Sequence, residues 1–125
     1  MDAKMVFGNN HDDFERILSE NQEILDRRAR SGTSPVGLKE IEFFCQMPSK
    51  EDALVAKKHL ISEFSDKRGV EVLVQSADEV IDCVLSLKIK PNASLITEIE
   101  VRIIGICEPF GGHEVSWGFF EDTIQ

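Results

Sequence analysis

The sequence has little of what catalysis, metal binding or membrane insertion requires. It has no tyrosine, one tryptophan and three cysteines, and no two cysteines form a C-x-x-C pair. The Walker loop and the G-x-S-x-G, G-x-G-x-x-G and H-E-x-x-H motifs are all missing. Its apolar runs all fall short of the roughly 20 residues that span a bilayer. We therefore expect no membrane contact, no metal, no cofactor and no enzymatic activity.

The cysteines themselves indicate a structural role. Cys45, Cys83 and Cys107 are an odd number and lie far apart, so we predict free, buried thiols that behave as small apolar residues. The histidines have no partner at metal-ligand spacing either. A ligand in a pocket lined by Cys45 and His59 would favour an enzyme instead.

Basic residues are also scarce, with 14 against 23 acids and a net charge of −9. Nucleic acids and anionic lipids are bound by Lys and Arg that neutralise phosphate, so neither is expected as a direct ligand. Residues 70–125 hold ten acids and three bases, whereas residues 37–69 hold six of each. This acidic second half either steers a basic protein partner or serves solubility alone, and charge leaves both interpretations open.

The length of 125 residues predicts one domain. We expect residues 1–11 to be a flexible N-terminus and residues 12–125 to form the single domain. The segment Met1–Asp13 lacks the apolar core of a secretory signal, which predicts a cytoplasmic protein.

Apolar spacing predicts two helices in the first half of the chain. The first runs from about Asp13 to Arg30, starts at an Asp12 or Asp13 cap and ends at Gly32. The second starts at a Ser49 cap and ends at Gly69. Its buried stripe is predicted to be Ala53, Ala56, Leu60 and Phe64.

Alternating apolar residues predict four strands, over Leu38–Met47, Val70–Val74, Ile81–Ile89 and His113–Phe119. The stretch Asn92–Phe110 is ambiguous, because Ile99–Ile103 alternates while the longer window has helical spacing. A strand there would be about 15 residues long against the usual 5 or 6, and Asn92 is a good cap, so we predict a helix.

The resulting order after the first helix is β-α-β-β-α-β. It predicts an α+β, ferredoxin-like sandwich: an antiparallel sheet with two helices on one face and an extra N-terminal helix. The other face is left to be covered by the N-terminal helix, by a second copy in a homodimer, or by a partner. Its predicted members are Glu40, Glu42, Phe44, Leu73, Asp82, Val84, Ser116 and Phe120.

RNA-recognition modules share this element order and stack bases on aromatic residues of the open sheet face. Phe44 and Phe120 are placed for stacking, but carboxylates surround them. Because carboxylates repel phosphate, we do not expect direct binding of nucleic acid.

Three segments resemble the regulator of ribonuclease activity B family. The ending Val115–Asp122, with the sequence VSWGFFED, is similar to that family's closing W-G-aromatic-aromatic-E-D strand. Asn92–Ile96 resembles its N-A-x-L-I helix start, and Gly32–Pro35 resembles its link before the first strand. Together they cover the chain from about Asp12 to Asp122 in the family's order.

The resemblance implies a ferredoxin-like fold and an acidic protein that inhibits RNA turnover. Members are described as binding the endoribonuclease RNase E, restraining its cleavage of RNA and altering the composition of the RNA degradosome. This chain departs from the pattern in being neutral over residues 37–69. The alternative is a diverged relative, either a dimeric interaction domain or an immunity-type protein that neutralises a basic partner.

We expect the last strand to divide its side chains between core and contact. Trp117 and Phe119 are predicted to fill the core, with Gly118 permitting close packing. The predicted partner-binding residues are Glu40, Glu42, Asp82, Glu114, Phe120, Glu121 and Asp122.

Overall fold

The described residues of the chain fold into three helices and a four-stranded sheet, in the predicted order. The computed structural model describes residues 11–30, 37–67 and 69–119. The predicted link at residues 32–35, the predicted contacts Phe120, Glu121 and Asp122, and residues 1–10 of the predicted flexible segment lie outside this part. The elements are α1 (His11–Arg30), β1 (Lys39–Met47), α2 (Lys50–Glu63), β2 (Glu71–Ala77), β3 (Val80–Ile89), α3 (Ala93–Cys107), a 3-10 turn (Glu108–Phe110) and β4 (His113–Phe119).

The sheet has the strand order β2-β3-β1-β4, and every neighbouring pair is antiparallel. The fold is therefore α+β, and its helices and sheet are compatible with the predicted ferredoxin-like arrangement. Phe43 at the centre of β1 lies between Leu85 of β3 and Trp117 of β4. Strand alternation puts Ile41, Phe43, Cys45 and Met47 on one face of β1, and all four are buried.

Helix α2 confirms its predicted start and its predicted buried stripe. The Ser49 hydroxyl accepts a hydrogen bond from the Asp52 backbone N–H at 3.1 Å and donates one to the Asp52 carboxylate at 2.9 Å. The predicted end at Gly69 is wrong, because the helix stops at Glu63 and Gly69 (φ +67°) instead turns the chain toward β2. The stripe of Ala53, Ala56, Leu60 and Phe64 has no exposed surface.

The ambiguous stretch forms helix α3, as predicted. The Asn92 side chain accepts a hydrogen bond from the Leu95 N–H at 3.0 Å, so the predicted cap is present. Ile99 and Ile103 lie one helical turn apart on the buried side of α3. Their spacing therefore fits a helix, although it also resembles the alternation of a strand.

Two other predicted boundaries are wrong. Helix α1 begins at His11, so Asp12 and Asp13 lie inside the helix and do not precede it as caps. Strand β2 continues past Val74 to Ala77, which leaves a two-residue turn of Asp78 (φ 53°) and Glu79 (φ 67°). Positive φ at both central residues is the geometry of a type I′ hairpin turn, which lets both strands extend to it.

Helix α1 packs against α3, and one side-chain amide fixes this position. Asn21 Nδ2 donates to Thr97 Oγ1 at 2.9 Å and to Glu100 Oε1 at 2.8 Å. Asn21 Oδ1 accepts from Trp117 Nε1 at 2.8 Å. The amide thereby joins α1 to both α3 and β4, and it holds α1 within the helical layer and away from the opposite face of the sheet.

Glu100 is the buried carboxyl of this network, with 4% of its surface exposed. Desolvation raises its pKa from the ordinary value of 4.5 to about 7, although the hydrogen bond from Asn21 opposes the rise and the charge of Glu20 adds to it. Glu100 therefore changes charge near neutral pH, within the contact between α1 and α3.

We predict that Asn21→Ala lowers the free energy of unfolding by about 2–3 kcal/mol, because Glu100 and Trp117 lose their hydrogen bonds to the amide and Thr97 keeps only its bond to the Ala93 carbonyl. Gln22→Ala is the matched control, since Gln22 is exposed and bonds only Asp26 among the contacts described. Its effect should stay within about 0.5 kcal/mol. Urea denaturation measures both, and equal effects would contradict the role of Asn21.

We predict that the free energy of unfolding falls as the pH rises from about 4.5 to about 7. In this interval the folded chain keeps the Glu100 proton and the unfolded chain has lost it. Unfolding releases this proton between the ordinary pKa of 4.5 and the folded pKa of about 7. The free energy of unfolding therefore drops across that interval, by about 3 kcal/mol at most. Glu100→Gln should remove this part of the pH dependence. Urea denaturation from pH 4.5 to pH 8 tests it, and parallel pH profiles for both proteins would contradict it.

Candidate protein-binding surface

The described helices pack against the sheet face that carries Ile41, Phe43 and Cys83. Cys83 Sγ, for example, donates to the Ala53 carbonyl of α2 at 3.2 Å. No described helix lies over the opposite face, here called the open face. By strand register, the open face consists of Glu40, Glu42, Phe44, Gln46, Glu71, Leu73, Gln75, Ala77, Val80, Asp82, Val84, Ser86, Lys88, Ser116 and Gly118.

An apolar row crosses the middle of the open face. Leu73, Val84 and Phe44 are direct cross-strand neighbours on β2, β3 and β1, and Ser116 of β4 completes the row. Val84 is buried, Phe44 is half-buried, and Leu73 is 56% exposed. Val84 lies between Leu73 and Phe44, so the three side chains form a continuous apolar strip across three strands.

Carboxylates flank this row on both sides. On one side, Glu42 lies in the adjacent row, two residues before Phe44 on β1. Its cross-strand neighbours are Ser86 and Gly118. Asp82 lies on the other side, and both acids are half-buried. Burial raises the pKa of Asp82, so its charge is less well solvated than that of a fully exposed acid.

A β-bulge brings Glu114 to the same place. The register of β1 and β4 shifts so that Cys45 pairs with Val115 and Gln46 pairs with His113, which leaves Glu114 as the extra residue. Glu114 has φ 60°, in the left-handed region that is unfavourable for a residue with a β-carbon. The predicted alternation of His113 with Val115 is therefore wrong, because the bulge interrupts it.

The bulge and the hairpin end enclose a groove of about 360 Å³ on the open face. Acidic groups stand beside an apolar floor in this groove, which suits a basic side chain with an aliphatic stem. The groove is lined by Phe44, Gln46, Val80, Asp82, Glu114, Val115 and Ser116.

The structure brings some of the predicted contact residues together and separates others. Asp82 and Glu114 share the groove, and Glu42 lies one row beyond Phe44. Glu40 lies one row further, directly opposite Lys88, whose charge offsets its own. Phe120, Glu121 and Asp122 lie outside the described residues and remain predictions.

Sequence reasoning missed Val80 and Gln46 as groove residues. Val80 is 39% exposed and follows the two-residue turn. The Asp78–Glu79 pair in the sequence could have indicated this turn and the start of β3 at Val80. Gln46 lies beside the bulge, for which the sequence offers no comparable signal.

The aromatic residues of β4 face the core, as predicted, and they also hold α1. Phe119 is 7% exposed and lies 4.7 Å from the Arg28 guanidinium carbon, measured to the ring centroid. Half-buried Trp117 bonds Asn21. The predicted packing role of Gly118 is wrong, since an added β-carbon would meet nothing within 4 Å among the described residues.

The cysteines and histidines do not form a second site in the described part of the chain. All three cysteines are free and buried, as predicted, and burial raises the pKa of the Cys83 thiol to about 12. His59 stacks on Phe110 in a shallow groove that Cys45 does not line. Across residues 11–30, 37–67 and 69–119, no three His, Cys, Asp or Glu side chains come together to hold a metal ion. No helix described here is long and apolar enough to cross a membrane.

We predict that residue 114 favours glycine over a β-branched residue. Glu114→Gly should raise the free energy of unfolding by up to about 1 kcal/mol, and Glu114→Val should lower it by about 1–2 kcal/mol, because of the positive φ. The same pair of changes at Ser116, which has no positive φ, is the control and should show the reverse order. Denaturant unfolding measures all four variants, and the same order at both positions would contradict the strain.

Comparison with known proteins agrees with the resemblance of the three segments. The profile of the family described as "Regulator of ribonuclease activity B" matches residues 18–119, which is most of the chain and nearly all of its described structure. No curated protein sequence gives a significant match. The match includes every described residue of the open face. On this extent of similarity, the chain belongs to the regulator of ribonuclease activity B family.

Proposed function

We propose that this protein restrains an endoribonuclease of the RNase E type by binding one of its basic segments on the open face. The observation that carries the proposal is the juxtaposition of half-buried Glu42 and Asp82 with half-buried Phe44, on a sheet face with no described helix over it. The protein would act as one unit, residues 12–125, with a ferredoxin-like fold in the cytoplasm. Its contacts would extend to the predicted Glu40, Phe120, Glu121 and Asp122.

The composition of the surface supports a basic protein segment as the partner. Carboxylates next to apolar side chains complement Arg and Lys, whose aliphatic stems cover apolar surface while their charged ends meet the acids. A ribonuclease holds its RNA through such basic segments, so their occupation would reduce RNA cleavage. Membership of the family supports the coarser statement, regulation of ribonuclease activity, and implies a ribonuclease as the protein partner.

The proposal gives the acids of the open face a role beyond solubility. Each half-buried carboxylate loses part of its hydration, and a guanidinium from a partner restores the lost interactions through charge-assisted hydrogen bonds. Solubility alone does not require acids to be placed around a half-buried phenylalanine. Partner binding does, because partly desolvated charge pairs contribute more to affinity than exposed ones.

We predict that the triple variant Glu42→Lys, Asp82→Lys and Glu114→Lys binds the host's RNase E at least tenfold more weakly. Its binding should also depend less on salt, because fewer opposite charges meet in the complex. Biolayer interferometry at low and high ionic strength measures both effects. In a cleavage assay, the wild-type protein should slow RNA degradation and the triple variant should not.

The matched control reverses three exposed acids of the helical layer, Glu23, Glu98 and Glu108, and changes the net charge by the same amount. It should bind and inhibit nearly as well as the wild-type protein. Equal losses in both triple variants would mean that only the overall charge matters. No binding by the wild-type protein at low salt would reject the proposed function.

A further inference from the structure

Strand β2 is an edge of the sheet with one side unpaired. The strand order β2-β3-β1-β4 leaves β2 hydrogen-bonded to β3 alone among the described residues. The opposite edge, β4, is interrupted by the bulge at Glu114 and lies beside α1. β2 is therefore the place where the sheet can accept another strand.

The hairpin geometry decides which backbone groups point outward. In a two-residue hairpin, the residues on either side of the turn exchange both backbone hydrogen bonds, and such pairs then alternate along the strands. Here Ala77 pairs with Val80 beside the turn, so Ala77, Gln75, Leu73 and Glu71 bond to β3. The N–H and C=O groups of Val72, Val74 and Ser76 consequently point away from the sheet.

In the described part of the chain, this edge has no lysine, proline or bulge that would hinder strand addition. Proteins block exposed edges with lysine, proline, bulges or very short strands. β2 has seven residues, Glu71–Ala77, with no lysine and no proline, and its register with β3 is regular throughout. An edge of this kind is a template for an extended segment.

The charge around the edge selects the kind of segment. Residues 71–87, which span β2, the turn and most of β3, contain four acids and no base. Leu73 is 56% exposed and Val80 is 39% exposed, both on the open face near this edge. A strand with basic and aliphatic residues at alternate positions would match this surface, whereas a second copy of the chain would bring the same negative charges to it.

We propose that the partner binds by adding an extended, basic-aliphatic segment to the free edge of β2, as a fifth strand of the sheet. This inference rests on the proposed function and specifies how the ribonuclease segment is held. The backbone of the segment pairs with Val72, Val74 and Ser76, and every second side chain lies on the open face next to Leu73 and the acids. Main-chain pairing provides affinity, and the alternate side chains provide specificity.

Amide hydrogen exchange on the wild-type protein tests the pairing directly. The protein is exchanged alone and in complex with the host's full-length RNase E, and single residues are resolved by mass spectrometry with electron-transfer fragmentation. The outward N–H groups of Val72, Val74 and Ser76 should exchange fast in the free protein and at least tenfold more slowly in the complex. The N–H groups of Leu73 and Gln75, which already bond to β3, should change little. Unchanged exchange at Val72, Val74 and Ser76 would overturn strand addition.

A backbone variant provides the second measurement. Ser76→Pro removes an outward N–H without disturbing the pairing with β3, and Ser76→Ala keeps the N–H and serves as the control. Thermal unfolding verifies that both variants fold. Ser76→Pro should bind RNase E at least tenfold more weakly than Ser76→Ala. Equal binding, with the triple charge variant still impaired, would reject the strand addition and leave the proposed function standing.

Two further outcomes concern what occupies the edge of β2. If the wild-type protein does not bind RNase E, the proposed function fails and this inference fails with it. If the mass of the protein in solution doubles at higher concentration, and the Val74 N–H then exchanges more slowly, a second copy occupies the edge. That result would overturn a basic partner segment as the occupant.

Discussion

The position of α1 depends on the side-chain amide of Asn21, and the availability of the sheet depends on the position of α1. Asn21 satisfies polar groups of Thr97, Glu100 and Trp117 at once. Undocking α1 would break all three hydrogen bonds, and Thr97 would keep only its bond to the Ala93 carbonyl. Because this contact directs the apolar stripe of α1 to the helical layer, no described helix covers the open face.

Two features of the open face are energetically unfavourable in the folded chain. Glu114 adopts a backbone conformation that glycine adopts more easily, and Asp82 loses hydration in the groove beside it. Neither feature stabilises the folded chain by itself. Under the proposed function, a cationic side chain in the groove would interact with the Asp82 and Glu114 carboxylates and offset the lost hydration of Asp82.

The helices, the strands and the core of the fold followed from the sequence, because burial imposes the period of each element. The stripe of α2 and the Asn92 cap were predicted residue by residue. The docking of α1 was not, although Asn21 interrupts the apolar stripe of Ile17 and Leu25 and was the visible signal. Of the site, Glu42 and Asp82 followed from strand alternation. The groove did not, because it depends on a bulge at Glu114 that no local pattern encodes.

Carboxyl footprinting tests most directly whether the open face is the binding surface. A carbodiimide with glycine ethyl ester labels exposed carboxylates, and the labelling of each residue is compared between the free protein and its complex with RNase E. We expect Glu42, Asp82 and Glu114 to lose labelling in the complex while Glu23, Glu98 and Glu108 keep theirs. Loss of labelling on the helical layer, with the three acids of the open face unchanged, would contradict it.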